Sequence, residues 1–305
     1  MKKTIMTEDD ESPLRRLLRQ YAHSKLAVLG AAVLLALLLA ALLAPLLAPQ
    51  NPYDLAQLNI LDSRLPPGSH GADHASGPGK LYLLGTDDQG RDMLSGMLYG
   101  LRISLGIGVV ATIAALSLGT VLGLLAAYTG GRLDALLMRI VDIQLSFPAI
   151  LVALVLITLL KPGVGNVAIA LVAVQWAYYA RTVRAAALVE RRKEYIEAAQ
   201  GLALGDARIV LRHLLPNCLP PVIVVAALQV ANAISLEATL SFLGLGVPIT
   251  EPSLGLLIAN GQQYLLAGKY WMSLYPGILQ LLTILAINLV ADQLRDVSNP
   301  RLQKQ

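Results

Sequence analysis

This chain of 305 residues is poor in charge, aromatics and cysteine. Charged residues make up 14% and aromatics 5%, with two Phe and two Trp. Soluble domains carry about 25% charged residues, so a soluble globular protein is a poor fit. So few aromatics argue against a large aromatic ligand cage. The single cysteine, Cys218, excludes an internal disulfide. The four histidines, His23, His70, His74 and His213, form neither an HExxH pair nor a zinc-spaced cluster with cysteine. Gly77-Pro78-Gly79-Lys80 lacks the Walker spacing and a following Ser or Thr, so the chain has no nucleotide-binding loop of its own. No G-x-S-x-G elbow is present either. These absences leave no catalytic residues and no metal ligands to name, and an enzyme is not expected.

What is abundant is apolar sequence. Hydrophobic residues reach 55% and the mean hydropathy is +0.61. Residues 26–47 form an uncharged run of spanning length, since a bilayer core needs about 20 helical residues. It exceeds the 7–15 residues of a signal-peptide core and follows a long polar lead, so it reads as a retained first span. Five more runs, 103–127, 143–160, 162–180, 219–236 and 270–291, contain no Lys, Arg, Asp or Glu. Pro148, Pro220, Pro221 and Pro276 sit near their ends, where proline costs least. The expectation is an all-α membrane protein with six transmembrane helices. Residues 252–268 are apolar too, but Gly255, Asn260, Gly261, Gln262 and Gln263 interrupt them. They predict an external or re-entrant helix.

The organisation follows: a tail over 1–25, a first span over 26–48, an external segment over 49–100, a five-helix domain over 101–292 and a tail over 293–305. Around 14–21 the first tail suggests a surface helix. The external segment contains six aspartates and ends in LLGTDDQGRDMLSGMLYG. Leu94, Met97 and Leu98 recur there at helical spacing, predicting a short interfacial helix. Of the 24 Lys and Arg, 18 fall on the side of the termini and of the 190–217 loop. The positive-inside rule makes that side cytoplasmic. No feature points to nucleic acid; the surrounding medium is a lipid bilayer.

The longest polar island in the second half, residues 190–217, reads ERRKEYIEAAQGLALGDARIVLRHLLPN. A short helix with small residues on one face, flanked by charge at a membrane edge, suits a docking surface. An ordinary basic membrane-edge loop remains the alternative. The spans hold almost no ionisable groups, whereas proton-coupled carriers generally need one inside the membrane. Glu237, Asp142 and Asp292 lie at run ends, where capping or interfacial solvation accounts for them. Energy for transport is therefore expected from another subunit. A self-contained secondary transporter or channel is the competing reading.

Glu197-Ala198-Ala199 followed by His213-Leu214-Leu215-Pro216-Asn217 resembles the EAA loop of binding-protein-dependent ABC transporter permeases. TDDQGRD at 86–92 and YGLRISL at 99–105 resemble the dipeptide/oligopeptide/nickel branch, as do LSFLGLG at 240–246, LRD at 294–296 and NPRL at 299–302. The long external insert resembles the C-type subunit of the permease pair. The resemblance implies a type I ABC importer permease fold with a cytoplasmic coupling helix in a bacterial inner membrane. It implies an ATPase-coupling site at Glu197, Ala198, Ala199, Gln200, Gly201, Leu202, Ala203, Gly205, Asp206, Arg208, His213 and Pro216. It also implies a sister permease, two cytoplasmic ATPase subunits that bind ATP and Mg, and an external solute-binding protein. This chain itself would hold no cofactor. The family pattern places glycine where Ala203 stands, so flanking Gly201 or Gly205 is expected to supply the positive φ of the turn. Cargo would be a dipeptide or oligopeptide, with a nickel complex, glutathione or an opine-like solute also open. Candidate path residues are Gln175, Trp176, Asn232 and Asn288, which are equally typical of polar glue between membrane helices.

Overall fold

The computed structural model describes residues 21, 24–54, 58–72 and 80–297. The expected surface helix around 14–21 lies almost wholly outside that set, and the NPRL motif at 299–302 entirely so. Eleven α-helices account for most of the described residues. Helix α1 (Lys25–Leu42) is capped by the Ser24 hydroxyl, which accepts from Ala27 N, and passes through Leu43 into a single turn, α2 (Ala44–Leu47), with proline in its first turn. Leu26, Leu29, Leu35, Leu39 and Leu42 stay exposed on α1. That apolar surface suits lipid.

The segment between α2 and the next helix is small and tightly tied. A 3-10 turn (Ile60–Asp62) leads to a two-residue hairpin, β1 (Ser69–His70) and β2 (Leu81–Tyr82), paired Ser69 to Tyr82 and His70 to Leu81. Asp62 organises it: its carboxylate accepts from the Tyr82 hydroxyl at 3.0 Å and from Ala72 N at 2.6 Å. Asp87 Oδ1 accepts from the backbone N–H of Gln89 and of Arg91, both at 2.8 Å. Asp92 then caps the next helix, accepting from Ser95 N at 2.8 Å, and its own N–H donates to Gln50 Oε1. Trp271 Nε1 donates to Thr86 O, fastening the segment to the start of the last helix.

From that cap runs α3 (Met93–Thr129), 37 residues without a break. At 1.5 Å per residue it is about 55 Å long, well over a bilayer core. The expected short interfacial helix is therefore the first two turns of this span. Met93 and Met97 are buried with Leu257, Trp271 and Met272, so protein rather than an interface covers them. Gly130 (φ +66°) and Gly131 (φ +58°) end α3 and turn the chain into α4 (Gly131–Leu145).

The run 143–160 is not one straight helix. Helix α4 stops at Leu145, and α5 (Ala149–Leu160) leaves at 92° to it. Pro148 supplies no N–H to continue the ladder, and the Ser146 hydroxyl donates to Asp142 O at the break. Helix α6 (Val164–Glu190) extends ten residues past its predicted end at 180. Its C-terminal turns are braced to α4. Arg184 donates through Nε and Nη2 to both oxygens of Asp134, and Arg181 pairs with Asp142. Asp142 is thus an ion-pair partner rather than a cap. Beyond α7 (Glu194–Gly201), the single turn α8 (Asp206–Ile209) and a π-turn (Val210–Leu214) come α9 (Leu215–Phe242), α10 (Leu254–Gln262) and α11 (Trp271–Val297). Helix α10 occupies the stretch expected to be external or re-entrant. Four helices, α1, α3, the segment from α8 through α9, and α11, are long and apolar enough to cross a membrane; the bent pair α4–α5 makes a fifth. Helix α6 has the length, and its polar Gln175 is enclosed by its neighbours. The six predicted runs are all helical.

The centre is the packing of α3 on α6. Ala111, Ala115, Gly119, Gly123 and Ala127 recur every four residues on α3, and all are buried. A Cβ on Gly119 would lie 2.5 Å from Trp176 O and from Tyr179 Cβ; one on Gly123 would lie 2.6 Å from Ala180 O. Small residues permit this approach, the usual device where lipid supplies no hydrophobic drive between helices.

Two outcomes follow. Gly119→Ala destabilises the fold by about 1–3 kcal/mol, because the obstacle is backbone, while Gly106→Ala, with open space around it in the same helix, stabilises by up to about 1 kcal/mol. Thermal unfolding of the two variants in detergent checks this. Separately, burial pushes the Asp87 carboxyl up to about 6 from 3.8, against the pull of its two backbone N–H donors. Its neutral form is favoured by folding, so this stabilisation is complete below about pH 4 and lost as pH rises through 6. Wild type should therefore lose up to about 3 kcal/mol relative to Asp87→Asn across that window. A difference that does not change with pH contradicts the assignment.

Candidate coupling surface and solute cavity

Helix α7 is the EAA segment. Its first turn carries Glu194 and Glu197, which suits a helix N-terminus. Ile196 and Ala199 form its inner face, buried with Ile209 and packed by Tyr128 and Leu204. Glu197, Ala198, Gln200, Gly201, Leu202, Ala203, Gly205, Asp206 and Arg208 are exposed, as is Pro216, and His213 is half-buried. Eleven of the twelve expected coupling residues thus reach the surface. Ala199 does not: its small side chain packs against Ile209 within this chain.

The C-terminal end of α7 is a Schellman motif. Leu204 N donates to Ala199 O at 3.2 Å and Ala203 N to Gln200 O at 2.9 Å. Its left-handed residue is Ala203 itself, φ +54°. The sequence expectation that a flanking glycine would take this role is overturned: Gly205 has φ −61°, and Gly201 lies within α7. The hydrogen-bond register of the motif decides which residue must bend, and it falls on Ala203. Leu202, 76% exposed, stands at the tip.

The loop is latched to the helix ends above it. The Tyr128 hydroxyl, at the end of α3, donates to Asp206 Oδ1 at 2.5 Å. Arg191 lies over the Tyr128 ring, 5.5 Å from its centroid, and donates to Ala127 O at 2.9 Å. Glu190 accepts from Lys193 Nζ at 2.6 Å and from the Tyr195 hydroxyl at 2.7 Å. Burial and the Glu190 carboxylate push the Tyr195 phenol up to about 12, so it remains a donor. Asp206 is therefore committed to an internal anchor. On the far side, the π-turn passes directly into α9 with Pro216 in its first turn. α7 is thus rigidly joined to α3, α6 and α9.

A cavity of about 340 Å³ lies between α6 and α9, lined in part by Gln175, Tyr178, Gln229, Asn232, Ser235 and Thr239. Two of the four candidate path residues, Gln175 and Asn232, belong to it. Trp176 instead packs with the buried cluster of Tyr179, Val183 and Cys218, and Asn288, half-buried on α11, is not in the lining. Gln229, Ser235 and Thr239 were not among the expected path residues, although with Asn232 they recur at the three- and four-residue spacing of one helix face. Gln175 Nε2 donates to Gln229 O at 3.0 Å and Asn232 Nδ2 to Gln229 Oε1 at 2.6 Å.

Glu237 is not at an interface. It is 0% exposed on α9. Ser104 of α3 donates to Oε2 at 2.9 Å and Ser241 to Oε1 at 2.8 Å. The same Ser104 hydroxyl accepts from Leu254 N, at the start of α10. The buried carboxyl thus knots three helices, and its hydroxyl partners satisfy it. Among the described residues no three His, Cys, Asp or Glu side chains cluster as a metal site.

The strained Ala203 gives a direct check. An L-residue in the left-handed region costs about 1–2 kcal/mol, so Ala203→Gly should stabilise the α7 cap by about 1 kcal/mol, part of the relief being lost to the freer unfolded chain. Slower amide exchange at residues 203 and 204 is the expected reading; faster exchange contradicts it.

Comparison with known proteins places these features. The family model described as "Binding-protein-dependent transport system inner membrane component" matches residues 119–304. A second, "N-terminal TM domain of oligopeptide transport permease C", matches residues 12–67. The dipeptide transport system permease protein DppC of Escherichia coli is 38% identical, over 99% of this chain and 98% of its own. The di/tripeptide transport system permease protein DppC of Pseudomonas aeruginosa is 38% identical, over 96% and 93%. A chain from the inward-facing MetNI methionine ABC transporter superposes with a TM-score of 0.55 at 22% identity, covering 67% of this chain and 97% of that one. The fold is that of a type I ABC importer permease. This chain belongs to the family of inner membrane components of binding-protein-dependent transport systems.

Proposed function

We propose that this chain is the C-type permease of an ATP-driven importer that carries peptides or similar small solutes delivered by an external binding protein. The observation that carries the reading is α7, whose exposed face of Glu197, Ala198, Gln200 and Gly201 projects from a loop tied to three spans. Such a helix turns a push from outside the membrane into motion of the spans. The comparison proteins named for dipeptide and di/tripeptide transport support the cargo class.

In this reading two ATPase subunits bind ATP and Mg and seat α7 and its counterpart on a sister permease. Leu202 offers an apolar knob at the tip, Glu197 a charge for basic partner groups, and Arg208 one for acidic groups. Closure of the ATPase pair draws the two loops together. Through Tyr128, Arg191 and the π-turn, α3, α6 and α9 follow, and access alternates between the two sides. The cavity between α6 and α9 lies on the solute path. The Lys/Arg distribution puts both termini and α7 on the cytoplasmic side and the Asp62–Asp92 segment outside, where it forms part of the binding-protein face. This chain positions and transmits; bond chemistry belongs to the ATPases. The buried Glu237 does not favour a self-contained carrier, since serine hydroxyls occupy both of its oxygens.

Glu197→Lys reverses charge on the exposed face without touching a described internal contact. It should insert normally, and uptake per ATP hydrolysed should fall at least about tenfold, the scale of one lost charge-assisted contact. Affinity capture from native membranes should recover a second permease and ATPase subunits with the wild type. Capture of the chain alone, with uptake surviving ATP depletion while the ion gradient is kept, would sink the reading.

A further inference from the structure

The polar face of α9 continues past the cavity described above. A second cavity of about 300 Å³ shares Ser235 and Thr239 with the first and ends at Gln280 of α11. Each volume is within the range of small-molecule sites, about 300–1,000 Å³. Ser235 and Thr239 thus line both, with Asn232 and Gln175 in the first and Gln280 in the second. Among the described residues no Lys, Arg, Asp or Glu lines either cavity.

The hydrogen bonds within this wall are one-sided. The Ser235 hydroxyl donates to Ala231 O at 2.9 Å and the Thr239 hydroxyl to Ser235 O at 2.8 Å. Their protons are spent on the helix, leaving oxygen lone pairs toward the cavity. Gln175 and Asn232 each spend an amide proton on Gln229. Gln175 is 1% exposed, and its Oε1 is buried without a partner; Gln280 Oε1 is likewise buried and unpartnered. A buried orphan acceptor is costly unless something donates to it. The surface is therefore uncharged and biased toward accepting hydrogen bonds.

We infer that this face of α9, with Gln175 and Gln280, is a hydrogen-bonding track for the N–H groups of the cargo, its peptide-bond amides and terminal ammonium. The inference rests on the peptide-importer reading and adds to it the chemistry of contact. Ser235 and Thr239 are one turn apart, about 6 Å along the helix, near the roughly 6.6 Å repeat of N–H groups on one side of an extended chain. A track of this kind reads the backbone and ignores side chains. It holds each amide N–H by a single neutral bond, weak enough to release it.

The test uses the complete importer in proteoliposomes with its binding protein saturating and loaded. The probes are an alanyl dipeptide and the same dipeptide methylated at the peptide nitrogen, with loading of each verified. Two variants are compared with wild type: Gln280→Met, which removes an acceptor that has no described partner, and Ser235→Ala/Thr239→Val. Maximal uptake of the unmethylated peptide should fall about 3–10-fold, the effect of one neutral hydrogen bond. Uptake of the methylated peptide should fall less than about twofold on the same scale. Binding-protein-stimulated ATP hydrolysis and KM for the loaded binding protein should not change. Unchanged maximal uptake, or equal losses for both peptides, overturns the track and leaves the importer reading standing. If the double variant fails to assemble, Gln280→Met alone decides. Absence of ATP-driven peptide uptake by the wild type overturns the importer reading and the track with it.

Discussion

The structure depends on how closely two helices approach. In a bilayer, apolar side chains gain little by leaving lipid for protein, so backbone proximity has to supply the packing. Gly119 and Gly123 let α3 sit against the backbone of α6 at Trp176 and Ala180. That contact holds the ends of α3 and α6 side by side, with Arg191 over the ring of Tyr128 at the end of α3. The buried Glu237 performs a related task at the other end, tying α9 to α3 and, through Ser104, to α10.

Between these fixed ends the molecule divides its labour. On one side α7 presents a mostly polar surface, with an apolar tip, on a base of internal hydrogen bonds. On the other, the outer segment is pinned by Asp62, Asp87 and Asp92. The cavities along α9 lie between them, walled by amides and hydroxyls. In the proposed importer, motion applied at α7 would reach the cavity walls directly, because α6 and α9 are both its neighbours in the chain and the walls of the cavity. No long relay is required.

The apolar runs were legible because the bilayer imposes length and composition. The 190–217 loop was legible because a charged island between such runs is conspicuous, and its motif letters resemble a family whose model matches the chain. The breaks were less so. Residues 143–160 read as one continuous span, yet Pro148 lies where α4 and α5 part at 92°. The first turns of α3 looked interfacial, since nothing local says that Leu257 and Trp271 will cover Met93 and Met97.

The sequence by itself determined a helical membrane protein, the number of its apolar runs, the side rich in Lys and Arg, and the loop that carries the EAA motif. Those properties are local or compositional. Tertiary structure alone decided that Ala199 faces inward and that Ala203 takes the left-handed position. It also decided that Glu237 is buried, and that Gln175 lines the cavity beside α9 while Trp176 and Asn288 do not. Each of these depends on which groups meet across helices, or on hydrogen-bond register at a helix end. A linear pattern of residue types leaves both undetermined.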